Sequence, residues 1–167
     1  GEFTLRAERQ RRDHLVAERD AHQSLSQPIR RAVVRCTAGM AATITGCWFA
    51  DNALQSGALD TGQGGAVCLA GATGALAGCT FTNNYVSGRN YLYGGGVYSG
   101  RQLTLEVVSN VFQGNWVSGT PKGGGTLYVN ACTSAVVDRC SFDGSGLLAG
   151  TAPELVYATN SGSVAIL

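Results

Sequence analysis

The chain has 167 residues, of which 24 are Gly, and only 14% are charged. An average soluble domain carries roughly 25% charged residues, so this composition argues against a disordered tail or a helical bundle and favours a stacked β architecture. The formal net charge is +1, and from Ala32 onward five cations stand against six acids, which leaves no basic surface for nucleic acid. No run of 18 apolar residues occurs, so no transmembrane segment is expected, and the charged first residues predict no signal peptide.

Residues 1–31 differ in composition from the rest of the chain. They contain 12 of the 23 charged residues and both His residues. The Arg-, Glu- and Leu-rich stretch from Ala7 to Ala21 includes i,i+4 pairs such as Glu8–Arg12, which predicts an α-helix ending before Gln27-Pro28. We expect this N-terminal segment to cap the first coil of the domain at 32–167, or else to form a solvent-exposed connector.

From residue 32 the sequence repeats with a period of about 31 residues. The inward Phe column, with spacings of 32, 31 and 30 residues, consists of Phe49, Phe81, Phe112 and Phe142. Seventeen residues before each Phe are Ala32, Gly64, Gly95 and Gly125. Other aligned columns are Val34/Ala66/Val97/Leu127, Cys36/Cys68/Ser99/Val129, Cys47/Cys79/Asn110/Cys140 and Asn52/Asn84/Asn115/Ser145.

Apolar residues alternate in pairs within each copy, which indicates three short strands with one buried face, separated by bends. Such strands, stacked in register, predict a right-handed parallel β-helix of the pectin-lyase-like type, with about four coils and a partial fifth. Phe, Cys and Asn columns then become ladders along the axis. The Gly pair before each first strand allows positive φ or a close approach of stacked backbones.

The arm between each Asn and the next Gly pair varies in length and is predicted to be a loop. Tyr85 and Trp116 occupy one column at its start. The same arms also contain Arg89, Tyr91, Tyr93 and Lys122. Neighbouring arms would form a ridge of aromatic and cationic side chains, suited to stacking on sugars or to a protein hot spot. Alternatively, Tyr85 and Trp116 only cover the edge of the coil.

The last residues begin another copy. Val156-Tyr157 resembles Val97-Tyr98, and this alignment places Val164 and Ile166 in inward columns. We expect the chain to be a fragment of a longer array, with an open C-terminal coil where neighbouring repeats or other chains pair.

The motifs "GGAV…FTNN" (Gly64–Val67, Phe81–Asn84) and "GGVY…FQGN" (Gly95–Tyr98, Phe112–Asn115) resemble the repeat of the chlamydial polymorphic membrane proteins, and "FADN" (Phe49–Asn52) is similar. The resemblance covers roughly residues 32–150. It implies a β-helical passenger displayed on a cell surface and used for adhesion.

Cys36, Cys47, Cys68 and Cys79 fall in inward columns, and the free cysteines are interpreted as small buried hydrophobes, with disulfides left open. No metal site is predicted, because Cys-x-x-Cys is absent and both His lie in the N-terminal segment. No cofactor is predicted either, because no complete G-x-G-x-x-G or P-loop occurs. Asp51, Glu106, Asp138 and Asp143 fall in different columns, whereas glycosidic chemistry needs paired carboxylates.

The sequence therefore predicts a non-catalytic repeat module, extracellular or on a cell surface, that binds a protein or glycan partner through its variable arms. Two alternatives stay open: a structural component of a larger assembly, and a carbohydrate-active β-helix lyase or hydrolase.

Overall fold

The computed structural model describes residues 2–6, 17–18, 34–36, 41–56, 61–70, 73–101, 104–123, 125–143, 146–147 and 156–167. These residues form β-strands and no helix. The strands are β1 (Glu2–Arg6), β2 (Ala17–Glu18), β3 (Val34–Cys36), β4 (Ala41–Thr45), β5 (Trp48–Ala50), β6 (Ala53–Gln55), β7 (Gly62–Gln63), β8 (Val67–Ala70), β9 (Thr73–Ala77), β10 (Thr80–Thr82), β11 (Tyr85–Tyr93), β12 (Val97–Gly100), β13 (Thr104–Val108), β14 (Val111–Gln113), β15 (Trp116–Gly123), β16 (Leu127–Asn130), β17 (Ser134–Asp138), β18 (Ser141–Asp143), β19 (Gly146–Leu147), β20 (Val156–Thr159) and β21 (Ser163–Ile166).

The strands pair in parallel and build four sheets along a solenoid. Sheet I has the order β2-β3-β8-β12-β16-β20, and sheet II has the order β1-β4-β9-β13-β17-β21. Sheet III is β18-β14-β10-β5, and sheet IV is β19-β15-β11-β6, with β7 also pairing with β11. Three successive turns, 34–66, 67–96 and 97–126, each pass through all four sheets, and another begins at Leu127. The predicted all-β parallel solenoid is confirmed, while its right-handed sense stays a prediction.

Each turn passes through four sheets, so the prediction of three strands per turn was wrong. The fourth strand comes from the arm after the Asn column, which was predicted to be a loop. In β11 the burial of the side chains alternates as expected for a strand, because Val86 is buried between the half-exposed Tyr85 and Ser87. Sheet IV buries its own small apolar cluster of Leu54, Val86, Leu92 and Val117.

The Phe column is confirmed as a stacked ladder at the centre of the main core. Phe81 pairs in register with Phe49 and Phe112, and Phe112 pairs with Phe142. The ring centroids of successive Phe residues lie 5.0, 4.8 and 4.8 Å apart, which matches the spacing of strands in a sheet. The rings are therefore stacked by the backbone register itself.

The Asn column is confirmed as a ladder of amide hydrogen bonds. Asn52 Nδ2 donates to Asn84 Oδ1 at 2.7 Å, and Asn84 Nδ2 donates to Asn115 Oδ1 at 2.8 Å. Asn84 Nδ2 also donates to the Phe49 carbonyl one coil below, and Asn115 Nδ2 donates to the Phe81 carbonyl. Asn84 and Asn115 thus each satisfy a buried carbonyl where the chain turns from sheet III to sheet IV.

The cysteines are free thiols, and five of the six are buried. In the column of Cys47, Cys79, Asn110 and Cys140, the side chain donates to a backbone carbonyl one coil below: Cys79 to Ile44, Asn110 to Leu76, and Cys140 to Val107. A thiol and an amide serve the same purpose here, which explains why Asn110 occupies a cysteine column.

The corners between sheets are built on residues in the left-handed region. Between sheets II and III these residues are Gly46, Gly78, Ser109 and Arg139, and between sheets III and IV they are Asp51, Asn83 and Gly114. Between sheets I and II they are Arg101, Ala131 and Asn160, and before sheet I they are Gly64 and Gly94. A left-handed residue reverses the local direction of the chain without a long loop.

The second turn is one residue shorter than predicted at the corner after sheet I. Ala70 pairs with Gly100, and Gly74 pairs with Leu105. The second turn therefore goes from the first of these pairs to the next in four residues, whereas the third turn takes five. Val97 consequently pairs with Val67 and not with Ala66, and Gly94 takes the place predicted for Gly95 opposite Gly64. The constant 17-residue spacing therefore does not mark structurally equivalent residues in the second turn.

The same shift corrects the placement of Cys68. It was predicted to share the inward column of Cys36, but Leu69 pairs with Cys36 and Cys68 pairs with Arg35. Cys68 lies on the opposite face of sheet I and packs against Tyr98 and Tyr128. Cys36, Cys47 and Cys79 do face the main core as predicted.

Two short strands of the N-terminal segment continue the solenoid. β1 pairs in register with β4, and β2 pairs with Val34 and Arg35 of β3. Ala17 and Glu18, inside the predicted helix, are therefore extended, and the rest of that helix lies outside the described residues. The capping role and the domain boundary at residue 31 stay predictions.

The last described strands follow the predicted register. Val156 pairs with Leu127, Val164 with Ala135, and Ile166 with Val137. Across the described part of the chain, no helix has the length and hydropathy to cross a membrane.

Candidate functional site

Tyr85 and Trp116 form a stacked pair on the outer face of sheet IV. Tyr85 pairs with Trp116 in the parallel register of β11 and β15. Their ring centroids lie 4.3 Å apart and the ring planes differ by 1°. Both side chains are half-buried, so the pair covers the sheet edge and also offers an aromatic surface to solvent.

Of the other predicted members of the ridge, Arg89, Tyr91 and Tyr93 do not join this pair. Arg89 is exposed in the middle of β11, where the pairing with β15 is irregular between Gly88 and Leu92. Lys122 belongs to β15, but its side chain lies outside the described part of the structure. Tyr91 and Tyr93 lie at the far end of β11, where they line a separate groove.

This groove, termed the tyrosine groove, crosses the outer face of sheet I and has a volume of about 490 Å³. Its wall includes Tyr91, Tyr93, Tyr98, Gln63, Arg101 and Asn130. The volume lies within the range of small-molecule sites, about 300–1,000 Å³. The single predicted ridge is thus divided by the structure into two aromatic surfaces.

Three tyrosines from successive strands support the groove. Tyr98 and Tyr128 stack at 5.6 Å with planes 9° apart. Tyr93 leans on Tyr128 at 4.5 Å and on Tyr98 at 6.2 Å. A Cβ on Gly100 would lie 2.5 Å from the Tyr98 hydroxyl, so glycine is needed for Tyr98 to lie over its own strand.

Tyr98 is buried while its hydroxyl keeps polar partners. Burial raises the pKa of Tyr98, and a hydrogen bond with the Asn130 side chain and the charge of Arg101 lower it. The hydroxyl therefore stays protonated at neutral pH, and the groove floor presents a fixed phenol beside an amide and a guanidinium.

Sequence reasoning missed several residues of these surfaces. Tyr98 was noted only as part of a repeat, although alternation with the buried Val97 and Ser99 places it on the outer face. Arg101 and Asn130 carry no sequence signal of their own, because coil stacking alone brings them together. Trp48 was also missed; it is 74% exposed on the outer face of sheet III.

The four acids considered above, Asp51, Glu106, Asp138 and Asp143, occupy separate columns, as the spacing predicted. Asp143 pairs with Gln113, Asp138 with Val108, and Glu106 with Val136. Asp51 accepts a hydrogen bond from Asn83 at 3.3 Å. Within the described ranges, no group of three or more His, Cys, Asp or Glu side chains could hold a metal ion.

Comparison with known proteins adds no identification at this point. No protein-family model, no curated protein and no solved structure matches the chain.

Proposed function

We propose that this chain is a non-catalytic β-solenoid module, extracellular or on a cell surface, that binds a protein or glycan partner through the outer face of sheet IV. The stacked pair of Tyr85 and Trp116 is the observation that carries the proposal. The resemblance of the repeat motifs to those of the polymorphic membrane proteins supports the same adhesin-like function.

The stacked pair has the physical properties of a binding hot spot. Tyr and Trp offer large contact areas at a low cost in side-chain entropy. Here the backbone register of β11 and β15 holds both rings parallel before any partner arrives. Preorganisation of this kind lowers the entropic cost of binding.

The proposal is tested by screening the purified chain on a glycan array and on a panel of extracellular proteins. Tyr85→Ala and Trp116→Ala should each weaken binding at least tenfold, since hot-spot truncations cost about 2 kcal/mol or more. Thermal melts by circular dichroism would confirm that both variants are folded.

Trp48→Ala is the matched control, because it removes a more exposed aromatic side chain from a different sheet. It should leave binding unchanged. If Trp48→Ala weakened binding while the two sheet IV variants retained full binding, the proposed surface would be wrong.

A further inference from the structure

The tyrosine groove lies at the other end of β11 from the stacked pair, and the proposed function does not use it. Tyr91 and Tyr93 enter its wall from sheet IV, and Tyr98 and Asn130 enter from neighbouring strands of sheet I. We propose that this groove is a second binding site, which takes an acidic sugar unit of an oligosaccharide.

The aromatic wall is suited to a sugar ring. Tyr98 is buried, and its ring is stacked on Tyr128, so it forms a rigid floor. Tyr91 is 47% exposed and can present a ring face to a ligand in the groove. A sugar ring packs its apolar face on one aromatic face, so a ligand does not need to enter between two rings.

The polar groups of the groove suit hydroxyl groups. Gln63 and Asn130 contribute amides, each with donors and acceptors. Asn130 Oδ1 accepts a hydrogen bond from Asn160 Nδ2 at 3.4 Å, which helps to orient the Asn130 amide. A few oriented polar groups around an aromatic floor are typical of sites for small polar ligands.

The charge of the groove selects for an acid. Arg101 lies at its wall, and no carboxylate is among the described residues that line it. Burial raises the pKa of Tyr98, and Arg101 lies near enough to that phenol to offset part of the rise. With no carboxylate among the described residues of the groove, Arg101 favours a ligand carboxylate, and charge-assisted hydrogen bonds are about twice as strong as neutral ones.

The test is calorimetric titration of the full chain with a glucuronate-containing oligosaccharide and with its carboxyl-reduced counterpart. These two ligands share ring and hydroxyl geometry and differ only in the carboxylate. The acidic ligand should bind at least tenfold more tightly at low salt, because charge-assisted hydrogen bonds are about twice as strong as neutral ones. Equal binding of the two ligands, or binding of neither, overturns the proposal.

Variants then assign the binding to the groove. Arg101→Asn should remove the preference for the acid, since Asn tolerates the φ of +58° at this corner, and Tyr91→Ala should weaken both ligands about tenfold. Arg139→Asn is the matched control, because it alters another exposed arginine with a left-handed φ outside the groove. An equal effect of Arg139→Asn and Arg101→Asn would show non-specific charge attraction and contradict the assignment.

The two proposals can fail independently. Tyr85→Ala and Trp116→Ala should leave the acidic ligand bound in the groove, and Arg101→Asn should leave the sheet IV partner bound. Loss of acid selectivity through Tyr85→Ala, in a folded variant, would place the sugar on sheet IV and remove the groove as a separate site.

Discussion

Asn84 shows how a single side chain closes the backbone hydrogen bonding of a turn. It is fully buried. It donates to the Phe49 carbonyl and to Asn115 Oδ1, and its own Oδ1 accepts from the backbone N–H and the Nδ2 of Asn52. Because both ends of the amide are used, an apolar side chain at this position leaves polar groups in adjacent coils without partners.

Asn84→Leu should therefore lower the free energy of unfolding by about 3 kcal/mol, since each buried unsatisfied group costs about 1–3 kcal/mol. Urea denaturation measures this loss. Asn83→Gly is the control, because Asn83 is exposed with a φ of 54°, and it should change stability by less than about 0.5 kcal/mol. Equal losses in the two variants would show that the ladder is not the source of stability.

At the scale of elements, the corners between sheets depend on glycines of two kinds. A Cβ on Gly95 would lie against the carbonyl oxygens of Trp116 and Gly125, so this glycine permits close approach of stacked backbones. Gly78 has a φ of 61° and no atom within 4 Å of its Cβ position, so it provides only a left-handed conformation. The sequence predicted both uses for the Gly pair before each first strand, without choosing between them, and did not single out Gly78.

Gly95→Ala should destabilise the protein by more than about 3 kcal/mol, because backbone atoms must move to relieve the overlap. Gly78→Ala should cost about 1 kcal/mol, the strain of a left-handed alanine. Thermal and urea unfolding of the two variants would compare them. A Gly78→Ala variant as unstable as Gly95→Ala would contradict the distinction.

At the scale of the whole molecule, the solenoid keeps thiols protonated on both faces of its sheets. Burial raises the pKa of Cys68 and of Cys79 from 9.0 to about 11. Between these values the unfolded chain has lost the thiol proton while the folded chain retains it. The contribution of these buried thiols to the free energy of unfolding is therefore constant below pH 9 and falls as the pH rises from 9 to 11.

We expect the free energy of unfolding to fall between pH 9 and 11, with Cys68 alone contributing up to about 3 kcal/mol of the change. The double variant Cys68→Ala/Cys79→Ala should show a shallower fall, measured by urea denaturation under reducing conditions. Val67→Ala, a control that shortens a neighbouring core side chain, should lower stability equally at each pH. A double variant with the full wild-type slope would exclude the thiols as its cause.

Much of the architecture could be predicted because stacked coils repeat the same types of inward-facing side chain at a fixed period. The register of Phe49, Phe81, Phe112 and Phe142, and the Asn ladder, follow from that repetition. Of the candidate site, sequence predicted the column shared by Tyr85 and Trp116, but it joined Tyr91 and Tyr93 to the same ridge. Tyr85, Tyr91 and Tyr93 are close in the sequence, which suggested a single surface. In the structure Tyr85 lies at one end of β11 and the other two tyrosines lie towards the opposite end, and the length of this strand separates them.

The sequence by itself determined the period, the Phe and Asn columns and the parallel β class, since a buried position requires a similar side chain in every coil. Only the tertiary structure decided the fourth sheet, the one-residue shift at Cys68 and the tyrosine groove. A turn that is one residue shorter at a corner keeps the alternation of apolar and polar residues within each strand. Only the pairing between coils therefore reveals which residues lie opposite each other. Gln63, Tyr91, Arg101 and Asn130 share one groove for the same reason: stacking, and not sequence spacing, brings them together.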